Sequence, residues 1–224
     1  MMTFFQQGFV ILPWGQPPPE VIREVDEAIR TEMPSNEYYI AGIFNSELSK
    51  VLIKFMMYNI STEKNEYIYY SLLGGRNLEE MLLGEPILVD CSKVSDPPQL
   101  CRLGPYGYDK GEAVNLLRKI RGTVRIPYYS GSQKLDMFQF QEIRHDERHL
   151  PLELTLGDII CVDSDLCIDW PLLDSDGIFV LMTVARGDPQ LGIQRDRRSM
   201  PVAPFHSTTE IRILEERSGY PRRQ

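Results

Sequence analysis

The spacing of apolar residues divides the chain into a helical first part and a strand-rich second part. Ile22, Val25, Ile29 and Met33 recur at helical spacing between a proline run and Pro34, which predicts an amphipathic helix. Similar spacing predicts a second helix over residues 46–58. A third, short helix is predicted from Asn77 to Leu83, with Gly84 as its end signal.

Most of the remaining apolar residues occur in short runs that Gly, Pro or Asp separates, as expected of β-strands. Helices first and short strands afterwards predict a mainly β protein with outer helices. The expected architecture is a double-stranded β-helix of the jelly-roll or cupin type, or a truncated form of it. The predicted strands cover residues 8–13, 86–89, 99–103, 123–129, 152–156, 159–162 and 178–184.

Length and charge limit the possible partners. The 224 residues, 42% of them hydrophobic, suffice for one domain, expected over residues 1–186. From Arg186 onward eight arginines face five carboxylates, so residues 187–224 are expected to form a basic carboxy-terminal arm. The net charge of -8 argues against nucleic acid and anionic membranes as partners. Without a signal peptide or a membrane-spanning run, a cytoplasmic location is expected.

A Gly-Asp turn and two apolar strands carry the strongest motif. Gly157-Asp158 opens the run 159–162, and a polar loop leads to the run 178–184. This order resembles the last strands of the Fe(II)/2-oxoglutarate-dependent oxygenases of the phytanoyl-CoA dioxygenase type, above all those of fungal meroterpenoid biosynthesis. In that family an iron-binding His and a 2-oxoglutarate-binding Arg lie in this stretch. The resemblance assigns the His position to Ile168 and the Arg position to Asp176.

Two further stretches extend the resemblance. Residues 97–103 read Pro-Pro-Gln-Leu-Cys-Arg-Leu, similar to the family's Q-x-H-R-D stretch, with Cys101 at the His and Leu103 at the Asp. Residues 130–134, Ser-Gly-Ser-Gln-Lys, match the family's P-G-S-H-K at three of five places. The interval from Cys101 to Ile168 is shorter than expected for active relatives, which implies a trimmed loop or strand.

The resemblance therefore implies that the metal site has been lost. Iron in this class needs two imidazoles and one carboxylate, and leucine and isoleucine have no donor atoms. No catalytic, cofactor-binding or metal-binding residue is expected in this chain. It is expected to be a catalytically deficient subunit, similar to that of heterodimeric oxygenases such as the talaromyolide type. A homologous active subunit would hold Fe(II) and 2-oxoglutarate, and this chain would help to shape its terpenoid pocket. The expected interface residues in the arm are Met200, Phe205, Arg212, Ile213 and Tyr220.

Two other interpretations of the sequence remain open. His145, Glu147 and His206 could form an iron triad, with Arg212 for the co-substrate, in an active oxygenase. Alternatively, a metal-independent isomerase or cyclase could reuse the barrel pocket, with Cys101, Asp169, Asp176 or tyrosines as acid or base.

Two local patterns receive structural interpretations. Tyr67, Tyr69 and Tyr70 suggest cross-strand packing. Asp163, Asp165 and Asp169 suggest a solvated loop between strands more than a cation site.

Overall fold

The computed structural model describes residues 4–32, 39–41, 47–58, 67–72, 81–84, 86–93, 99–102, 112–134, 151–170, 172, 174–186 and 205–207. Three α-helices and thirteen strands lie in these ranges. The helices are α1 (Phe4–Gln7), α2 (Pro19–Glu32) and α3 (Glu47–Met57). The strands are β1 (Phe9–Leu12), β2 (Tyr39–Ala41), β3 (Met81–Gly84), β4 (Ile87–Asp90), β5 (Gln99–Arg102), β6 (Ala113–Arg121), β7 (Arg125–Ile126), β8 (Tyr128–Tyr129), β9 (Leu152–Glu153), β10 (Ile159–Asp163), β11 (Cys167–Trp170), β12 (Ile178–Arg186) and β13 (Phe205–Ser207).

The strands form one large antiparallel sheet and a smaller set that faces it. The large sheet has eight strands in the order β1-β10-β6-β12-β3-β13, with β4 also paired to β12 and β2 paired to β4. The smaller set consists of β5-β11-β8 and the pair β7-β9. Apolar side chains from both sets meet in one buried cluster, which includes Leu117 and Phe179 of the large sheet and Ile126 and Ile168 of the smaller set. The predicted double-stranded β-helix is confirmed.

The other face of the large sheet is covered by helices. Val25 of α2 and Leu52 of α3 are fully buried against Leu116 of β6 and Val180 of β12. The alternation of side chains along β6 and β12 thus sends one set into the barrel interior and the other into the helical layer. Helices α2 and α3 lie where apolar spacing predicted them.

A buried arginine joins the helical layer to the sheet. The Arg118 side chain on β6 has no exposed surface, and its guanidinium lies 5.2 Å from the ring centre of Phe55. Its Nη1 donates to the carbonyls of Phe55 at 2.8 Å and Tyr58 at 3.0 Å, at the carboxyl end of α3. Its Nη2 donates to the carbonyl of Gly15 at 2.7 Å. Burial lowers the pKa of Arg118 to about 10, so the side chain is charged at neutral pH and stabilises the negative end of the helix.

The central strand β6 was missed by the apolar pattern. Its apolar residues 113, 114, 116, 117 and 120 follow a spacing closer to a helix than to an alternating strand. The reason is that β6 is buried on both faces, so that nearly every position is buried, the polar Asn115 and Arg118 included, and no alternation marks the strand.

Two other local predictions are wrong. The short helix predicted to end at Gly84 is contradicted at residues 81–84, which form β3 and pair with the second half of β12. The first half of β12 pairs with β4, which leaves the backbone groups of its second half for β3. This pairing outweighs the helix propensity of residues 81–84. Tyr67, Tyr69 and Tyr70 belong to one π-helical turn, Tyr67–Leu72, and not to a strand.

In the described part of the chain, no helix is long and apolar enough to cross a bilayer.

Replacement of Arg118 by methionine is expected to destabilise the fold by about 2–4 kcal/mol, because buried carbonyls of Phe55, Tyr58 and Gly15 lose their donor. The matched control is Arg121→Met on the same strand, which removes a half-exposed ion pair with Asp26 and should cost about 1 kcal/mol or less. Urea unfolding of the two variants measures the difference. Equal stability of both variants would contradict the anchoring role of Arg118.

Candidate functional site

Two of the predicted ligand positions lie opposite each other on neighbouring strands. Strand β5 pairs antiparallel with β11, and in this register Cys101 is the direct partner of Ile168. On the other side of β11, Ile168 is opposite Tyr128 of β8. Leu103, the third predicted position, lies outside the described residues. The backbone therefore brings the residues at the two assigned His positions together across one strand pair.

Hydrocarbon surrounds the Ile168 side chain. Ile168 is 1% exposed and belongs to the buried cluster between the two sheets. Phe9 packs edge-on against Tyr128, with ring centres 5.0 Å apart, and so helps to close this interior. The other buried members of the cluster are Ile87, Val89, Cys91, Leu117, Val124, Ile126, Leu154, Ile160, Val162, Leu166, Leu172, Phe179 and Leu181.

A cysteine thiol adds a potential donor to this interior cluster. Burial, reinforced by the charge of Asp90, raises the pKa of Cys91 to about 12. Since a thiolate and not a thiol binds metal, Cys91 is a poor ligand at neutral pH. The described interior thus offers neither the imidazoles nor the carboxylate that iron requires, and these residues do not fit Fe(II) with 2-oxoglutarate.

Asp169 lies on the opposite face of β11 from Ile168, because successive residues of a strand alternate. Its Oδ1 accepts a hydrogen bond of 2.9 Å from the Tyr129 hydroxyl, and both residues are buried. Nearby, the Ser132 hydroxyl donates to the Tyr129 carbonyl at 2.6 Å and accepts from the Cys167 N–H at 2.9 Å. These bonds join β8 to β11 on the outer side of the barrel. Asp169 and Tyr129 therefore do not line the interior.

Asp176 closes a turn at the start of β12. Its Oδ1 accepts from the N–H of Thr123 at 2.8 Å, and this bond holds the pKa of the exposed carboxyl below its usual range. The N–H groups of Asp176 and Gly177 both donate to the Thr123 carbonyl, at 3.1 and 2.8 Å. A Cβ on Gly177 would lie 2.7 Å from the carbonyl oxygens of Arg121 and Thr123, so the approach requires glycine. The Asp176 carboxylate thus joins two segments of backbone at the surface.

The turn between β10 and β11 was predicted as a solvated loop, and this prediction is wrong. Asp163, Ser164 and Asp165 are 9%, 0% and 1% exposed. Asp163 Oδ1 accepts from the Asp165 N–H at 2.9 Å, and the Asp163 N–H donates to the Gly8 carbonyl at 2.8 Å. The aspartates of this stretch indicated solvent, whereas the Asp163 carboxylate is buried with a hydrogen bond to a backbone N–H.

A polar pair inside the barrel was not anticipated. The Thr183 hydroxyl donates to Asn115 Oδ1 at 2.7 Å, and both side chains are buried. They occupy the same faces of β12 and β6 as Phe179 and Leu117, toward the other end of these strands. No sequence motif marked either residue, and only the strand register reveals the pair.

The residues of the alternative triad are not brought together in the described part of the chain. His206 lies on β13, opposite Leu83 of β3, at the end of the large sheet away from β1. Ile168 and Cys101 lie in the smaller set of strands. His145 and Glu147 lie outside the described residues. Among the residues that the structure describes, no group of three or more His, Cys, Asp and Glu could hold a metal ion.

The predicted interface residues fall mostly beyond what the structure describes. Phe205 is on β13, opposite Gly84. Part of the carboxy-terminal arm is therefore a strand of the large sheet. Met200, Arg212, Ile213 and Tyr220 lie outside the described residues.

Comparison by sequence finds no matching family model and no matching curated protein. Comparison by structure finds non-haem iron enzymes. The epimerase SnoN, solved with Fe3+, alpha-ketoglutarate and nogalamycin RO, has a TM-score of 0.59 at 13% identity, over 92% of this chain and 93% of SnoN. HygX from Streptomyces hygroscopicus, solved with nickel and 2-oxoglutarate, has a TM-score of 0.55 at 13% identity, over 81% of this chain and 84% of HygX.

EvdMO1 gives a similar value, with a TM-score of 0.56 at 16% identity over 81% of this chain and 48% of EvdMO1. These identities are too low to transfer an activity, but the coverage of SnoN and HygX extends over nearly the whole fold. The chain therefore has the double-stranded β-helix fold of the iron- and 2-oxoglutarate-dependent oxygenases and epimerases.

Proposed function

We propose that this chain is a catalytically deficient member of the oxygenase fold that pairs with an active Fe(II)/2-oxoglutarate oxygenase and supports its activity. The observation that carries the proposal is the environment of Ile168. Its backbone lies opposite Cys101, as two facing ligand positions would, while its side chain is buried in hydrocarbon. A fold that retains this strand pair with one cysteine and one isoleucine at the two His positions lacks the ligand set for iron and is expected to act through its surface.

The position of Asp176 supports the same proposal. A 2-oxoglutarate site needs a cation for the distal carboxylate of the co-substrate. Asp176 instead carries a negative charge, and its carboxylate binds the Thr123 N–H at an exposed turn. The turn is built to hold β6 and β12 together and not to receive an anion.

The two alternative functions gain no support from the described residues. An isomerase or cyclase needs an acid or base in the pocket, yet Asp169 and Tyr129 are bonded to each other on the outer face. An oxygenase with the His145, Glu147 and His206 triad would need His206 near the barrel interior, and its strand lies at an edge of the large sheet.

The substrate class and biosynthetic context are part of the proposal. The resemblance of the sequence motifs indicates fungal meroterpenoid biosynthesis. Among the proteins of similar fold, SnoN was solved in complex with nogalamycin RO, and HygX was solved with hygromycin B bound. In this proposal Fe(II) and 2-oxoglutarate belong to the partner, and this chain completes the partner's terpenoid pocket.

The site assignment predicts that iron binding can be restored. The triple variant Cys101→His, Leu103→Asp and Ile168→His should be less stable than the native chain by about 1–3 kcal/mol, because polar groups enter an apolar interior. Added Fe(II) or Ni(II) should raise its Tm, since a ligand that binds only the folded state stabilises it. Thermal unfolding with and without metal, under anaerobic conditions, measures the effect.

The matched control keeps the first two substitutions and places the histidine at Ile160, a buried interior position on the large sheet. This variant should be destabilised to a similar degree and should show no metal-dependent change in Tm. A metal response of equal size in both variants would argue against the assigned register.

Partner association tests the function itself. We expect the native chain to co-purify with an oxygenase encoded nearby and to raise its turnover. Truncation after Ser207 keeps β13 in the sheet but removes Arg212, Ile213 and Tyr220, and it should abolish both association and support. Cys101→Ala should leave both nearly unchanged. If no oxygenase associates and none changes its activity, the supporting role is wrong.

A further inference from the structure

Strand β1 forms an edge of the large sheet and has outward-directed backbone groups. It pairs with β10 through the register Phe9 to Val162 and Ile11 to Ile160, and it ends the strand order of the sheet. The Asp163 N–H donates to the Gly8 carbonyl, so this carbonyl is directed toward β10, while the Gly8 N–H donates to the Phe4 carbonyl of α1. Because these groups alternate along an antiparallel strand, Phe9 and Ile11 direct theirs away from the sheet.

The outward-directed backbone groups of Phe9 and Ile11 differ in their hydrogen bonding. The carbonyl of Phe9 accepts a hydrogen bond of 2.8 Å from the Gln7 side chain, which agrees with its outward direction. Within the described residues, the outward N–H and carbonyl of Ile11 have no hydrogen-bonding partner. The Ile11 side chain is 44% exposed, and Phe5 of the adjoining helix α1 is 60% exposed. An apolar side chain and a free donor-acceptor pair thus occur at one edge residue.

The edge also lacks charge. Residues 1–19 contain no Asp, Glu, Lys or Arg, although 25% of the chain is charged. Charged residues, especially Lys, commonly protect edge strands from pairing, and β1 has none. Two copies with a net charge of -8 repel each other in general. Contact of this uncharged strip with its own copy places no like charges together, so it avoids the repulsion that other faces of the acidic chain would meet. Interface cores show the same depletion.

We propose that β1 pairs antiparallel with β1 of a second copy of this chain, about a two-fold axis at Ile11. In that register the Ile11 N–H of each copy donates to the Ile11 carbonyl of the other, so the free pair is satisfied by its own symmetry mate. Phe9 then faces Pro13, which has no N–H to donate. The Gln7 side chain supplies the donor that proline lacks. The self-complementary edge joins the two large sheets into one.

This inference does not rest on the proposed function. The carboxy-terminal arm and the former metal site take no part in it, so a self-associating chain could still support an oxygenase or fail to do so. Loss of the β1 pairing would change the number of copies of this chain in the assembly. It would leave the metal-binding properties of the barrel interior as they are.

Sedimentation equilibrium of the full chain tests the proposal, and the native protein should form a concentration-dependent dimer. Ile11→Lys places two ammonium groups side by side at the axis and should weaken the dimer by about 100-fold or more. Ile11→Pro removes only the outward N–H, since the Ile11 N–H makes no bond within the sheet, and should also yield a monomer. Ser130→Lys adds the same charge at an exposed turn of the smaller strand set and should leave the dimer unchanged.

Circular dichroism and Tm of each variant establish that the sheet is intact. A native chain that remains monomeric at about millimolar protein concentration would overturn the proposal. So would a dimer that persists in a folded Ile11→Lys or Ile11→Pro variant. If the chain alone is monomeric and uses β1 only for an oxygenase partner, the self-pairing is wrong and the edge serves the heteromer.

Discussion

The fold depends on the hydrogen bonds of Arg118 to three backbone carbonyls, because they join the large sheet to the helical layer and to the loop after β1. Arg118 lies on β6, between β10 and β12 in the large sheet. Its guanidinium binds the carboxyl end of α3 and the Gly15 carbonyl in the loop that follows β1. A buried charge is costly unless it is well paired, and here the negative end of a helix supplies the compensation. One side chain of the central strand thereby fixes the end of α3 and the loop after β1 against the large sheet.

The opposite face of the same strand determines what the barrel can do. Leu117 of β6 and Phe179 of β12 meet Ile168 of β11 in a hydrocarbon interior. The polar groups near this interior bind one another or the backbone: Asp176 binds the Thr123 N–H, Asp169 binds the Tyr129 hydroxyl on the outer face, and Thr183 binds Asn115 inside the barrel. The fold of a metal-dependent oxygenase is thus combined with an interior that, among the described residues, lacks the imidazoles and the carboxylate that iron requires. The groups through which the chain can interact with other molecules therefore lie at the edges of its sheets and on its surface.

Much of the fold could be predicted from the sequence, and the failures have identifiable causes. The Gly-Asp turn and the two apolar strands that follow it predicted the end of the barrel because turn residues and apolar runs are local signals. Strand β6 was missed because burial on both faces removes the alternation that marks a strand. Strand β3 has the local pattern of a helix, and its pairing with β12 is a tertiary effect. Neither the register that makes Cys101 the direct partner of Ile168 nor the backbone contacts with Gly8 at the buried turn of Asp163 can be read from a local pattern.

The central claim is that the barrel interior holds no iron, and metal retention tests it most directly. The full native chain would be dialysed anaerobically against Fe(II) and 2-oxoglutarate, and iron per chain would then be measured by elemental analysis beside an active oxygenase of this fold. The account predicts that the chain keeps only the small iron content of a nonbinding protein. One iron per chain, dependent on 2-oxoglutarate and lost on substitution of His145 or His206, would contradict it and favour the alternative triad.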